Sequence, residues 1–180
     1  MQTVRNAFKS SLPVLAGYLV LGAGFGMMMK AAGYSPFWAL AMSVFVYAGS
    51  MQYAAVGLLS GGASLVTLAL TTLMVNARHL FYGISMLEPY RKAGAAKPYL
   101  IFALTDETYS LVCDGRRSVR ECLLLSLFDQ LYWVAGSVAG ALLAEVVPFS
   151  TQGVDFALTA LFLTVFTAQW LPSKTHFPAL

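Results

Sequence analysis

Leu73-Met74-Val75-Asn76-Ala77-Arg78-His79-Leu80-Phe81-Tyr82 places an amide, a guanidinium and an imidazole inside an otherwise apolar run. No Asp, Glu, Lys or Arg occurs from Ala31 to Ala77, and the chain stays apolar again from Leu80 to Leu87. A charge at the centre of a bilayer costs roughly 2.5–3.5 kcal/mol on insertion scales, so it needs a partner or a wet cavity. Two readings of Arg78 are open at this point. It ends a span and snorkels to the headgroups, or it belongs to a site within the membrane.

The composition decides the solvent. Of the 180 residues, 58% are hydrophobic and 11% charged, against about 25% charged in soluble domains. A soluble chain of this length has no interior large enough for that much apolar surface, so lipid surrounds most of it. The net charge of +3 comes from scattered loop Lys and Arg residues, without the basic patch and interleaved aromatics of a nucleic-acid binder. Cys113 and Cys122 lie too isolated for a metal site or a disulfide framework. The uncharged run Ser10–Met29 is too long for the core of a cleaved signal peptide.

A helical span needs about 20 mostly apolar residues. Working outward, the third span is expected over about Ala63–Leu87 and the second over about Pro36–Leu59, with a break at Ser60-Gly61-Gly62. The first covers Ser11–Met29, ended by Lys30 and the Gly33-Tyr34-Ser35-Pro36 turn. Beyond the basic linker Glu88–Pro98, a short fourth segment, Tyr99–Cys113, is interrupted by Thr105-Asp106-Glu107-Thr108. The charged loop Asp114–Glu121 precedes a fifth span, Cys122–Val147, and a sixth, Val154–Leu171. The expected fold is an all-α polytopic membrane protein of about six transmembrane helices in a single membrane domain, 1–180. Long uncharged runs exclude the short alternating segments of a β-barrel. The distribution of loop cations favours neither orientation strongly.

An internal repeat is also readable. An offset of 83 residues carries Ser43-Val44-Phe45 onto Ser126-Leu127-Phe128, and Gly22–Gly26 onto Thr105–Tyr109. Two inverted three-helix halves, 1–89 and 90–180, with broken first helices would follow the pattern of many secondary transporters.

Gly22-x-Gly24-x-Gly26 has no preceding strand and no acidic residue at dinucleotide-binding distance. Gly22 and Gly26 form a packing face, or the helix unwinds here and frees N–H groups for a substrate carboxylate. Asp106 and Glu107 point about 100° apart on a regular helix, and both reach one site only if the segment is unwound at Thr105. Either would hold a substrate ammonium or exchange a proton. Asp129 neutralises Arg78 or belongs with His79, Asp106 and Glu107 in a proton route. Gln52 bonds a neighbouring helix or binds ligand, and Asn76 would orient substrate. Gly136-x-x-x-Gly140 reads as helix packing. No metal or nucleophile constellation is present, so an enzyme is not expected.

Ala48-Gly49-Ser50-Met51-Gln52, Asn76-Ala77-Arg78-His79 and Thr105-Asp106-Glu107-Thr108, with the glycine-rich first span and the Ala32–Pro36 turn, resemble the AzlC family of branched-chain amino acid permeases. The resemblance runs over the whole chain. It implies a multi-pass permease of the bacterial inner membrane that exports branched-chain amino acids alongside a small AzlD-type membrane subunit. No cofactor is implied, and proton coupling is compatible. Family members continue into further apolar sequence where this chain stops at Phe177-Pro178-Ala179-Leu180, so the expectation is either a truncated sequence or a missing last helix. The rival readings are the substrate-capturing membrane subunit of an energy-coupled vitamin importer and an intramembrane enzyme using His79 with Asp106 or Asp129.

Overall fold

The computed structural model describes residues 2–146, together with Phe156 and Leu163. Eight α-helices are seen among the described residues: α1 (Gln2–Ala31), α2 (Pro36–Phe45), α3 (Gly49–Ser60), α4 (Leu65–Asn76), α5 (Arg78–Ser85), α6 (Lys97–Phe102), α7 (Asp106–Val112) and α8 (Val119–Val146). Among the described residues, only α1 and α8 are long and apolar enough to cross a membrane by themselves. At 1.5 Å per residue they extend about 45 and 42 Å, beyond the roughly 30 Å hydrocarbon core. The second, third and fourth expected spans are each built from two shorter helices placed end to end. The sixth, Val154–Leu171, falls outside the described residues, so the count of six is not established.

Helices α1 and α8 form the frame. Gly22 and Gly26 of α1 sit against the α8 backbone, and Gly136 and Gly140 of α8 sit against that of α1. A Cβ at Gly22 would lie 2.9 Å from the Trp133 carbonyl oxygen, and one at Gly140 would lie 2.5 Å from Ala23 Cα. Small residues allow this approach, which is how helices associate where lipid removes the hydrophobic drive between them. Lys30 and Glu145 tie the ends of the two helices at 2.7 Å.

This corrects the expectation of a broken first helix. Helix α1 runs unbroken through Gly22, Gly24 and Gly26, all three buried, so their N–H groups belong to the helix and none is released to a substrate. The breaks fall elsewhere. Between α2 and α3 the chain turns at Tyr47, whose φ of +44° is a left-handed conformation rare for a bulky side chain. Between α4 and α5, the N–H of Ala77 bonds back only three residues, to the Met74 carbonyl (3.4 Å). Between α6 and α7, Thr105 caps the new helix by accepting the Thr108 N–H at 3.2 Å. The offset of 83 residues therefore matches a continuous helix with an interrupted one at Gly22–Gly26, and interrupted with continuous at the following span.

Two apolar clusters fill the interior. One gathers Tyr18, Phe25, Tyr47, Tyr53 and Trp133, with Phe25 stacked on Trp133 at 6.4 Å and Tyr18 edge-on to it at 5.4 Å. The other joins Met86, Tyr90, Leu100, Leu104, Val112 and Leu125. Helices α4 and α5 bury no residue and present Leu65, Leu73, Met74 and Phe81 outward, a surface suited to hydrocarbon.

Candidate functional site

The three breaks meet at one small, partly open cavity. Tyr47, Ala48, Gly49 and Ser50 come from the α2–α3 break, Arg78 and His79 from the start of α5, and Thr105, Asp106 and Glu107 from the α6–α7 break. Tyr18 and Leu21 of α1 and Trp133 of α8 close the remaining wall. Its volume is about 40 Å³, room for a water or so and far below the roughly 300–1,000 Å³ of an open ligand pocket.

Arg78 ties the three interrupted segments together. From α5, its guanidinium donates to Asp106 Oδ2 of α7 and, at 2.6 Å, to Ser50 Oγ of α3. Both members of the Arg78–Asp106 pair retain under a third of their side-chain exposure, 29% and 27%, so the pair is shielded without being sealed. Arg78 is not a snorkelling end. It faces the cavity.

Starting α7 at Asp106 resolves the geometry of the adjacent acids. On a continuous helix they would diverge, but the break at Ala103–Thr105 puts both on the cavity wall. Asp106 takes Arg78, while Glu107 Oε2 accepts a hydrogen bond from the Tyr18 hydroxyl at 2.7 Å. Tyr18 also lies 2.7 Å from Thr105 Oγ1. Thr105 Oγ1 in turn reaches Thr108 Oγ1 at 3.1 Å, and Thr108 donates to Asp129 Oδ2 at 2.8 Å. Asp129, fully buried, accepts from Thr108, while Arg78 is engaged by Asp106, so of the two readings of Asp129 its hydrogen bond does not serve the neutralisation of Arg78.

The other expected site residues divide. His79 lines the cavity, its Nδ1 3.2 Å from the Asn76 carbonyl oxygen and its ring edge-on to Tyr82. Asn76 closes α4 and does not line the cavity. Gln52 is fully buried behind it: it donates to Ser43 Oγ at 3.3 Å and accepts the Trp133 indole N–H at 2.9 Å. Its contact with the site runs through Trp133, which it orients.

Tyr18, Tyr47, Ser50 and Trp133 were not singled out from the sequence as site residues. The signal nearest to them is Ala48-Gly49-Ser50. Helix α3 begins there with no side-chain cap, so the amides of its first turn have no partner within the helix. Gly49 lets Trp133 pack close, since a Cβ there would lie 3.0 Å from the Trp133 ring and the ring would have to shift. Chemically, the cavity wall carries a cation, two carboxyls and the uncapped first turn of α3. That arrangement complements the carboxylate and ammonium of a zwitterion.

The AzlC protein family matches residues 13–147 of the chain. A Bacillus subtilis protein named branched-chain amino acid transport protein AzlC is 41% identical, the match covering 98% of this chain and 71% of that protein. An uncharacterized membrane protein of Haemophilus influenzae is 38% identical over 99% of this chain and 76% of its own length. The Escherichia coli inner membrane protein YgaZ is 30% identical over 93% of this chain and 74% of its own. No solved structure matches the chain.

Proposed function

The chain belongs to the AzlC family of membrane proteins, and from that premise we propose that it is the permease subunit of a branched-chain amino acid exporter. The observation that carries this reading is the small, charge-lined cavity where three interrupted segments meet. Discontinuous helices whose ends face a central site are how many secondary transporters hold a charged substrate within the bilayer. The transport function named for the Bacillus subtilis relative supports the substrate class.

In the proposed cycle, Arg78 and the first amides of α3 take the substrate carboxylate, and Asp106 with Glu107 takes the ammonium. Leu21, Tyr47 and Trp133 border the same space and receive the aliphatic side chain. The frame of α1 and α8 stays fixed through its glycine contacts, and the short helices hinge at their breaks to open the cavity to either side. A small AzlD-type membrane subunit completes the system, set in the bacterial inner membrane.

Counterflow in proteoliposomes tests the reading. Vesicles loaded with unlabelled leucine are expected to accumulate labelled leucine, isoleucine and valine transiently without ATP, and to ignore lysine and aspartate. Absence of exchange, or dependence on an ATPase, would contradict it and return the importer-subunit reading.

A further inference from the structure

Glu107, Tyr18, Thr105, Thr108 and Asp129 form a continuous file of oxygens from the cavity wall to the buried flank of α8. Its links measure 2.7, 2.7, 3.1 and 2.8 Å. A hydroxyl carries one proton to donate, and an ionised carboxyl carries none. With both carboxyls ionised, the three hydroxyls supply three protons for four links. If Tyr18 donates to Glu107, Thr105 to Thr108 and Thr108 to Asp129, the short Tyr18–Thr105 contact has no proton in it. One added proton completes the file.

From this count we propose that the file is a proton wire holding one mobile proton, shared between Glu107 at the cavity and Asp129 at the far end. The inference rests on the transport reading for its role but not for its existence. With the proton on Glu107, that carboxyl donates to Tyr18, Tyr18 to Thr105, Thr105 to Thr108, and Thr108 to Asp129. Each oxygen then passes its proton one place on. Every O–H bond broken is replaced by one formed on the next oxygen, and Asp129 ends protonated with Glu107 ionised. The hydrogen bonds reverse direction, and no other group is oxidised, reduced or displaced. Thr105 Oγ1 also accepts the Thr108 N–H, and in both directions its single donor and two acceptor positions are filled.

The wire gives the cavity a way to exchange a proton for a substrate ammonium. An ammonium arriving beside Glu107 is held by the ionised carboxyl, so the proton has to leave toward Asp129. Other groups face the two ends. Tyr47, from the α2–α3 break, stands near both carboxyls, and Tyr99 of α6 stands near Asp129. Arg78, His79 and Asp106 share the cavity with Glu107. Tyr99 donates to Gln130 Oε1 at 2.8 Å, outside the file, and Arg78 and Asp106 are engaged with each other.

The test uses Thr108→Val, which removes one oxygen from the middle of the wire, with Thr108→Ser restoring it. Thr108 does not line the cavity. In the full chain reconstituted in vesicles, Thr108→Val is expected to keep labelled leucine counterflow, because with leucine saturating both sides one ammonium replaces another while Glu107 stays ionised and no proton crosses the wire. Accumulation of leucine driven by an imposed pH gradient should fall by at least about tenfold, and Thr108→Ser should recover it. A second reading needs no transport. Infrared difference spectra across a pH titration should show one carboxylic-acid C=O band that both Glu107→Gln and Asp129→Asn alter. A Thr108→Val protein with parental pH-driven accumulation, or a band that one of the two carboxyl variants leaves untouched, overturns the wire. If leucine is not moved by the parent while the shared band is present, the transport reading fails and the wire stands.

Discussion

Gly26→Ala is expected to cost the protein more stability than the same change at Gly22 or Gly17 of α1. The new Cβ would overlap the Ser137 carbonyl and lie 2.6 Å from the Ala141 nitrogen. Both obstacles are α8 backbone, so neither can rotate aside as a side chain would. Overpacking a tight interior costs typically 1–3 kcal/mol and occasionally more, and here the relief available is separation of the two frame helices. Separation also moves Tyr18 and Trp133, which α1 and α8 contribute to the cavity. Thermal unfolding in detergent, followed by tryptophan fluorescence and size-exclusion chromatography, should show a large fall in midpoint. Gly17→Ala is the control: nothing lies within 4 Å of its added Cβ. It should be neutral or gain up to about 1 kcal/mol from better helix propensity. Equal, small effects at Gly26 and Gly17 would mean that α1 does not pack on α8 as described and would restore the unwound-helix reading.

Arg78→Gln is expected to abolish leucine exchange and to destabilise the fold, whereas Asp106→Asn abolishes exchange with a smaller loss of stability. The asymmetry follows from what each change leaves behind. Without Arg78, the carboxylates of Asp106 and Glu107 face one cavity with no cation between them. Without the Asp106 charge, Arg78 still donates to Ser50 and has Glu107 on the same wall. Breaking a fully buried pair costs about 3–5 kcal/mol. The residual exposure of this one, 29% and 27%, places Arg78→Gln at or below the lower end. The Arg78→Gln/Asp106→Asn double variant removes both charges, so it should recover most of the stability lost in Arg78→Gln. It should not recover exchange. A double variant that transports leucine like the parent would reduce the pair to a structural tie.

Much of the frame is legible in the sequence. The uncharged run and the charged linkers locate five of the expected segments, and Thr105-Asp106-Glu107-Thr108 announces a break that the structure places at Ala103–Thr105. The position of Arg78 in that run pointed to a partner, and Asp106 is that partner. Gly22–Gly26 was ambiguous for a physical reason. Glycines lower helix propensity and also permit close packing, and only the distant Gly136 and Gly140 on the facing helix decide between the two. The break at Tyr47 was not legible, since Val46-Tyr47-Ala48 contains neither glycine nor proline, and its conformation is imposed by the tertiary structure. The first helix extends to Gln2, well before Ser11, because hydropathy marks the lipid-facing stretch and not the end of the hydrogen-bonded helix. Gln52 and Asp129 were seen as buried polar groups, but their partners Trp133 and Thr108 are fixed by packing between segments far apart in the chain.

A branched-chain amino acid is expected to occupy the cavity between Ser50, Arg78 and Asp106. Ser50→Cys, in a background with Cys113→Ser and Cys122→Ala, places the one reactive thiol at that wall. The measurement is its rate of modification by a small methanethiosulfonate reagent in vesicles, with and without leucine. Leucine is expected to slow modification several-fold, and lysine is expected to leave it unchanged. An unchanged rate at leucine concentrations that saturate exchange would place the substrate elsewhere and contradict this occupancy.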